Sequence, residues 1–224
     1  MKTNISKKNL FLLILVLLFS LFLRTINLNW DQGNHLHPDE RFLTMVVSSV
    51  KLPKSISEYF NTSTSNFNPN NNGYSFYVYG TFPLLITRLI AEVFKYTSYD
   101  QIFLVGRILS AIFDTLTVLI IYLLSIKIFK KNNIAIYSAF LYSICIFPIQ
   151  QSHFFTVDSF TFFFFNLTIL LLISNRFLLS GLMFGITLAN KTSVAIVLPF
   201  ILLFIFFYKQ KYKKNIIKCI TFCI

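Results

Sequence analysis

Apolar positions along this chain fall into long runs rather than alternating with polar ones. The runs lie near residues 10–28, 101–127, 132–150, 157–173, 177–190 and 193–208, and another begins near 215. A bilayer crossing takes about 20 predominantly apolar residues, somewhat fewer in a short segment. The pattern therefore predicts about six complete membrane-crossing helices and the start of a seventh. One long polar segment, about 29–99, separates the first two runs. Inside it, PDERFLTMVVSSV predicts a short amphipathic helix with Pro38 at its first position and two acids in its first turn. Proline loses nothing there, and negative charge meets the positive end of the helix dipole. The run NTSTSNFNPNNNG reads as loop. SFYVYGTFPLLITRLIAEVFKY resumes an apolar pattern broken by Arg88, Glu92 and Lys95. It is too charged for a crossing and suits a helix lying at the membrane surface.

Composition narrows the class to an all-α polytopic membrane protein. The 224-residue chain is 55% hydrophobic and only 12% charged, against about 25% charged in soluble domains. Runs such as FTFFFF, in a chain with 28 phenylalanines, read as lipid-facing surface. The net charge of +12 is explained by topology. With the N-terminus in the cytoplasm, the inner loops receive Lys2, Lys7 and Lys8, then Lys127, Lys130 and Lys131, then Arg176, then the lysines of KQKYKK. That is the positive-inside pattern. The acids fall on the outer side, Asp31, Asp39, Glu40, Glu58, Glu92, Asp100 and Asp158, with Asp114 alone inside the membrane. Nucleic acid is not needed to account for the charge. The first run has no small-x-small cleavage site after it and reads as an uncleaved anchor. The three cysteines have neither a disulfide nor a metal spacing. The last stretch, IIKCITFCI, is too short for a crossing. The expectation is one transmembrane module of which this is the N-terminal part, with a C-terminal remainder missing.

Ionisable groups in or beside membrane segments are costly and default to functional candidates. Here they gather where segments reach the outer side: His37, Asp39, Glu40, Arg41, Arg107, His153, Asp158 and Lys191. Each has a plainer reading. Asp39 and Glu40 suit a helix start, although that needs only one acid. Arg107 and Asp114, seven residues apart, could pair with each other or with other helices. Lys191 could reach the headgroups by snorkelling, and Tyr77 and Tyr79 could be interfacial anchors.

Five stretches together resemble one family: HPDERF, YVYGTFPLLITRL, GRILSAIFDTLTVLIIYLLSIKIF, SHFFTVDSFTFFF and GLMFGITLANKTSVAIVLP. They look like the GT-C membrane glycosyltransferases, in particular the bacterial enzymes similar to protein O-mannosyltransferases and aminoarabinose transferases. The resemblance runs from about residue 9 to 208, and the acidic pair in the first outer loop is its most specific mark. HPDE also occurs in GPI-type mannosyltransferases, and family members are longer, with more crossings. The resemblance implies a GT-C-like helix bundle with a large first outer loop carrying short surface helices. It implies inverting transfer of a sugar from a polyprenyl-phosphate carrier to an acceptor at the outer face. Asp39 would be the general base and Glu40 would orient it or bind acceptor. His37, Arg41 and Tyr79 would contact substrate, and Arg107 and Lys191 would offset charge on the departing phosphate. His153 and Asp158 would be the ligands if a divalent ion is used, and no nucleotide cofactor is implied. The partners would be the lipid-linked donor, membrane lipids, and a lipid, glycan or protein acceptor, at a bacterial inner or plasma membrane. Two rival readings are a lipid or sugar transporter, which should show paired broken helices and internal repeats, and an inactive remnant of the enzyme.

Overall fold

The computed structural model describes residues 6–207 and 221–222. Among the described residues the regular structure is helical throughout, with no strand. Ten α-helices follow one another: α1 Lys7–Thr25, α2 Pro38–Ser49, α3 Ile56–Phe60, α4 Phe82–Phe94, α5 Tyr99–Phe129, α6 Asn132–Ser143, α7 Ile146–Ser152, α8 Val157–Ile173, α9 Phe177–Asn190 and α10 Leu198–Phe207. Short 3₁₀ turns occupy Pro69–Asn72 and Thr192–Val197.

The 31-residue α5 is the axis of the bundle. It packs against α1, α2, α4, α6, α7 and α8. Helices α1 and α5 are long and apolar enough to cross a membrane, and α6 with α7 makes a third candidate span bent by 57°. Helices α8 and α9 and the stretch 192–207 are apolar but shorter. At about 1.5 Å per residue, the 17 residues of α8 come close to the hydrocarbon thickness and the 14 of α9 fall well short. The sequence expectation of six crossings thus resolves into two straight spans, one bent pair and three shorter apolar pieces. The run expected to begin near 215 lies almost wholly outside the described residues.

Between α1 and α2 the chain coils tightly. Asn27, Gln32 and His35 have left-handed φ angles of 55°, 53° and 48°, and Gly33 has 78°. The Asp31 carboxylate accepts from the backbone N–H groups of Gly33 and Leu36, a local turn of the kind Asp favours. Helix α2 starts as its sequence predicts, with Pro38 in its first turn and Asp39 and Glu40 following. Its cap is His37, whose Nδ1 accepts from the Glu40 N–H at 3.4 Å. At the other end of α2 the Arg88 guanidinium donates to the carbonyls of Val47 and Ser48, as a basic group does at a helix C-terminus. Leu43, Val46, Val47 and Val50 of α2 join Leu84 and Ala91 of α4 and Ile102, Val105 and Leu109 of α5 in one core with Phe155 and Phe160. This core fixes α2 and α4 to α5 and α8.

Two glycines permit close approaches at that junction. Gly80 donates its N–H to the Asn190 carbonyl at 2.9 Å, and a Cβ there would run into the backbone of Ala189 and Asn190. Gly106 lies against the ring of Phe155, which fills the space a Cβ would take.

Candidate functional site

The loop after α1, the start of α2, the segment before α4, the N-terminal third of α5, the α7–α8 turn and the end of α9 all meet at one end of the bundle. Lys127, Lys130, Lys131 and Arg176, where α5 gives way to α6 and α8 to α9, lie at turns of the opposite end. The charged residues at the first end form two separate groups.

The first group is buried. Arg107 Nε donates to Glu40 Oε1 at 2.6 Å and Nη2 to Glu40 Oε2 at 3.0 Å. Nη1 and Nη2 also donate to the two oxygens of Asp31 at 3.0 and 2.8 Å, and Nη1 donates to the Leu28 carbonyl at 2.6 Å. A guanidinium has five N–H donors in a rigid fork, and here five acceptors take them. The charged groups of Arg107, Asp31 and Glu40 are inaccessible to solvent, and the rings of Phe103 and Trp30 lie 4.7 and 5.5 Å from the Arg107 carbon. Burial tends to raise the Asp31 pKa, but the hydrogen bonds and charge of Arg107, helped by the Leu36 and Gly33 amides, hold it below its ordinary value. This geometry corrects the expectation for Arg107. With no donor left, it ties the α1–α2 loop and the start of α2 to α5 rather than standing free for a phosphate, and Glu40 is its partner. Asp31 is the member that sequence reasoning missed, because it lies in no motif.

The second group is open. Asp39, beside Glu40 on α2, is exposed. Its neighbour is Tyr79, whose phenol pKa is raised by burial first, then by the charge and hydrogen bond of Asp39, then by the charge of Asp158. The phenol therefore stays a donor facing two carboxylates. Asp158, in the first turn of α8, bonds Lys191 Nζ at 2.9 Å, and both side chains are partly accessible at 39% and 38%. Tyr77, by contrast, donates to the Gly80 carbonyl at 2.9 Å and supports the 77–81 turn from beneath. Of the three residues expected to share one cavity, Asp158 lines an apolar cleft, Asp39 is not among its lining residues, and Arg107 is buried in the first group.

The remaining expected residues have structural partners. Arg41 is exposed and its Nε donates to the His35 carbonyl at 3.1 Å. His37 caps α2 and stacks near Phe154, with ring centroids 4.3 Å apart. His153 has Nδ1 2.8 Å from the Ile149 carbonyl and Nε2 2.9 Å from the Ile26 carbonyl, tying α7 to the end of α1. A histidine ligates a metal through an unprotonated ring nitrogen, and both nitrogens here face carbonyl acceptors. Among the described residues no three His, Cys, Asp or Glu side chains cluster as ligands. Asp158 is instead paired with Lys191, and no contact among the described residues joins it to His153.

Lys191 and Asp158 stand on the rim of a cleft of about 690 Å³ lined mainly by Phe147, Pro148, Phe162, Phe165, Val194 and Ile196. Asp114 and Tyr142 line it as well. Asp114 is paired with Arg24 Nε at 2.5 Å and accepts from the Tyr142 hydroxyl at 2.6 Å, while Arg24 Nη1 donates to the Ser143 carbonyl at 2.9 Å. Arg107 and Asp114 therefore pair with other segments and not with each other. An arginine near the end of the first apolar run was the sequence signal for the Arg24 contact.

A helical bundle with two or three apolar helices of membrane-spanning length defines a multi-pass membrane protein. The family described as dolichyl-phosphate-mannose-protein mannosyltransferase matches residues 81–224. The chain belongs to that family and is a glycosyltransferase of the GT-C kind. Comparison with curated proteins and with solved structures finds no match.

Proposed function

We propose that this protein transfers a sugar from a polyprenyl-phosphate carrier to an acceptor hydroxyl at the outer face of the membrane, with inversion at the anomeric carbon. The observation that carries this reading is the pairing of an exposed carboxylate with an apolar cleft. Tyr79 lies within electrostatic reach of both Asp39 and Asp158, and the Asp158–Lys191 pair lines the cleft. A prenyl chain is apolar, so a cleft walled by Phe and Val side chains removes it from water favourably.

The chemistry follows from the groups present. The acceptor oxygen attacks the anomeric carbon, and its proton passes to the Asp39 carboxylate acting as general base. The bond from the anomeric carbon to the phosphate oxygen breaks, and the phosphate keeps the electron pair. Lys191 is the cation placed to offset that charge, exchanging part of its contact with Asp158 for the phosphate. The Tyr79 hydroxyl, beside Asp39, is placed to orient its carboxylate. Glu40 acts at one remove, because its grip on Arg107 fixes the helix turn that presents Asp39. No step requires a metal ion or a nucleotide. Arg41 and His37 border this site through α2, and the acceptor approaches from the outer-loop side.

The transporter reading requires repeats and broken helices around a midplane site. The bent α6–α7 pair and the Arg24–Asp114 pair are the features that speak for it. The open carboxylate at the bundle end and the family membership favour transfer. Purified protein supplied with a polyprenyl-phosphate mannose and a mixture of hydroxyl acceptors should release polyprenyl phosphate, and Asp39→Asn should abolish the release. Movement of intact donor between leaflets with no release would establish the transporter instead.

A further inference from the structure

The outer loop between α2 and α4 contains a second cavity, of about 490 Å³, within the roughly 300–1,000 Å³ range of small-molecule sites. Its walls are hydroxyls, amides and aromatic rings, among them Tyr59, Phe60, Thr62, Ser63, Asn68 and Thr81. No charged side chain lines it. Phe60, 73% exposed and edge-on to Tyr59 at 5.3 Å, gives this cavity an accessible aromatic ring.

This cavity is built rather than loose. The Asn68 amide donates to the Thr62 carbonyl at 2.7 Å, and the Asn71 amide donates to the carbonyls of Thr62 and Ser65 at 3.0 Å each. The Asn72 amide donates to the Asn66 carbonyl at 2.9 Å. Gly73, at φ 88°, closes the turn. Side chains thus replace strand or helix partners for a stretch of chain whose composition alone reads as loop. Such preorganisation lowers the entropic cost of binding.

Its place is informative as well. Thr81 lines the cavity and lies 3.4 Å from the Tyr59 hydroxyl. Two residues back is Tyr79, the neighbour of Asp39. Between them Gly80 is fastened to Asn190, next to Lys191. The 79–81 segment is therefore a ridge with the polar cavity on one flank and the charged mouth of the apolar cleft on the other.

We infer that this outer-loop cavity binds a neutral carbohydrate and presents it to Asp39 as the acceptor. The inference rests on the transferase reading above and names the acceptor class for it. Amides and hydroxyls match the donors and acceptors of sugar hydroxyls. Aromatic faces carry partial negative charge and attract the polarised C–H groups of a pyranose. The absence of charge disfavours anionic sugars, whose carboxylate or phosphate would be desolvated without a partner.

The test uses the purified full chain in nanodiscs and saturation-transfer NMR with three probes: mannobiose, glucuronic acid and a Ser/Thr-rich peptide. Mannobiose should receive saturation, and glucuronic acid and the peptide should not. Phe60→Ala should weaken mannobiose binding about three- to tenfold, the span for losing one aromatic contact. Phe60→Tyr should restore it, and Phe76→Ala, at an equally exposed ring (82%) outside the cavity, should leave it unchanged. Absence of saturation of mannobiose, equal binding by Phe60→Ala, or Phe60-dependent binding of the peptide instead would overturn the inference. The two readings separate because binding needs no turnover. Phe60-dependent mannobiose binding without any sugar transfer would sink the transferase reading and leave the cavity standing. Transfer whose acceptor KM is unchanged in Phe60→Ala would do the reverse.

Discussion

Asp39 and Glu40 are neighbours in one helical turn, about 100° apart around the axis, and that angle separates their roles. Glu40 points inward to Arg107 and is fully buried, whereas Asp39 points to Tyr79 and the open site. Asp39→Asn keeps shape but cannot take a proton, so transfer should fall about a hundred- to ten-thousandfold, the usual worth of a general base, with thermal stability unchanged. Glu40→Gln weakens a buried charged pair and should show mainly as lost stability, because breaking such a pair costs about 3–5 kcal/mol in full. Melting curves beside activity assays on both variants make the comparison. If Glu40→Gln melts like wild type while losing all transfer, the base is Glu40. Asp31 gives a pH signature to the same cluster. Its folded pKa is depressed, so its contribution is complete above the ordinary 3.8 and is lost as pH falls below that toward the folded value. Wild type should lose melting temperature as pH falls through that range, and Asp31→Asn should lose less. The acidic pair at a helix start was legible in HPDERF. Which acid faces inward was not, since Arg107 is 67 residues from Glu40 and 76 from Asp31. For the same reason the sequence offered Arg107 as a free cation. Only the fold shows that two carboxylates and a carbonyl already occupy it.

At the level of elements, apolar runs located the helices well. Expected segments at 101–127, 157–173 and 177–190 correspond to α5, α8 and α9, because long hydrophobic stretches without breakers have few alternatives to helix in a bilayer. Helix α2 was readable for another reason, the proline and acids of its first turn. The α6–α7 break was not, since 132–150 is one continuous apolar run while the helix bends at Ile144–Cys145. Nor was the framework of the Asn-rich loop, where side-chain amides do the work of a regular ladder and leave no periodicity to read. Glycine contacts give the sharpest test of how the elements fit. A Cβ at Gly106 would enter the Phe155 ring, while one at Gly185 meets nothing. Gly106→Ala should destabilise by about 1–3 kcal/mol, the usual cost of overpacking. Gly185→Ala, in α9, should be neutral or stabilising by up to about 1 kcal/mol. Thermal unfolding in detergent decides between them, and equal effects would mean that α5 and the 154–156 turn do not pack as described.

Across the whole molecule, charge, apolar cleft and outer loop are arranged along one axis. Lys127, Lys130, Lys131 and Arg176 lie at one end and all the acids except Asp114 toward the other, and the positive-inside rule predicts that the end carrying these four faces the cytoplasm. In a cysteine-free background, Lys54→Cys should react with an impermeant thiol reagent in intact cells, and Lys131→Cys only after permeabilisation. The opposite labelling would put the candidate site in the cytoplasm. In the proposed reaction the apolar cleft takes the carrier's chain and the carboxylate at the bundle end meets its sugar. The measurement that bears most directly on this is single-turnover release of polyprenyl phosphate from a radiolabelled polyprenyl-phosphate mannose, with wild type and Asp39→Asn compared at equal folded concentration. Release coupled to label on the acceptor in wild type, reduced at least about a hundredfold in Asp39→Asn, is the expected result. Equal release by the two proteins would contradict it.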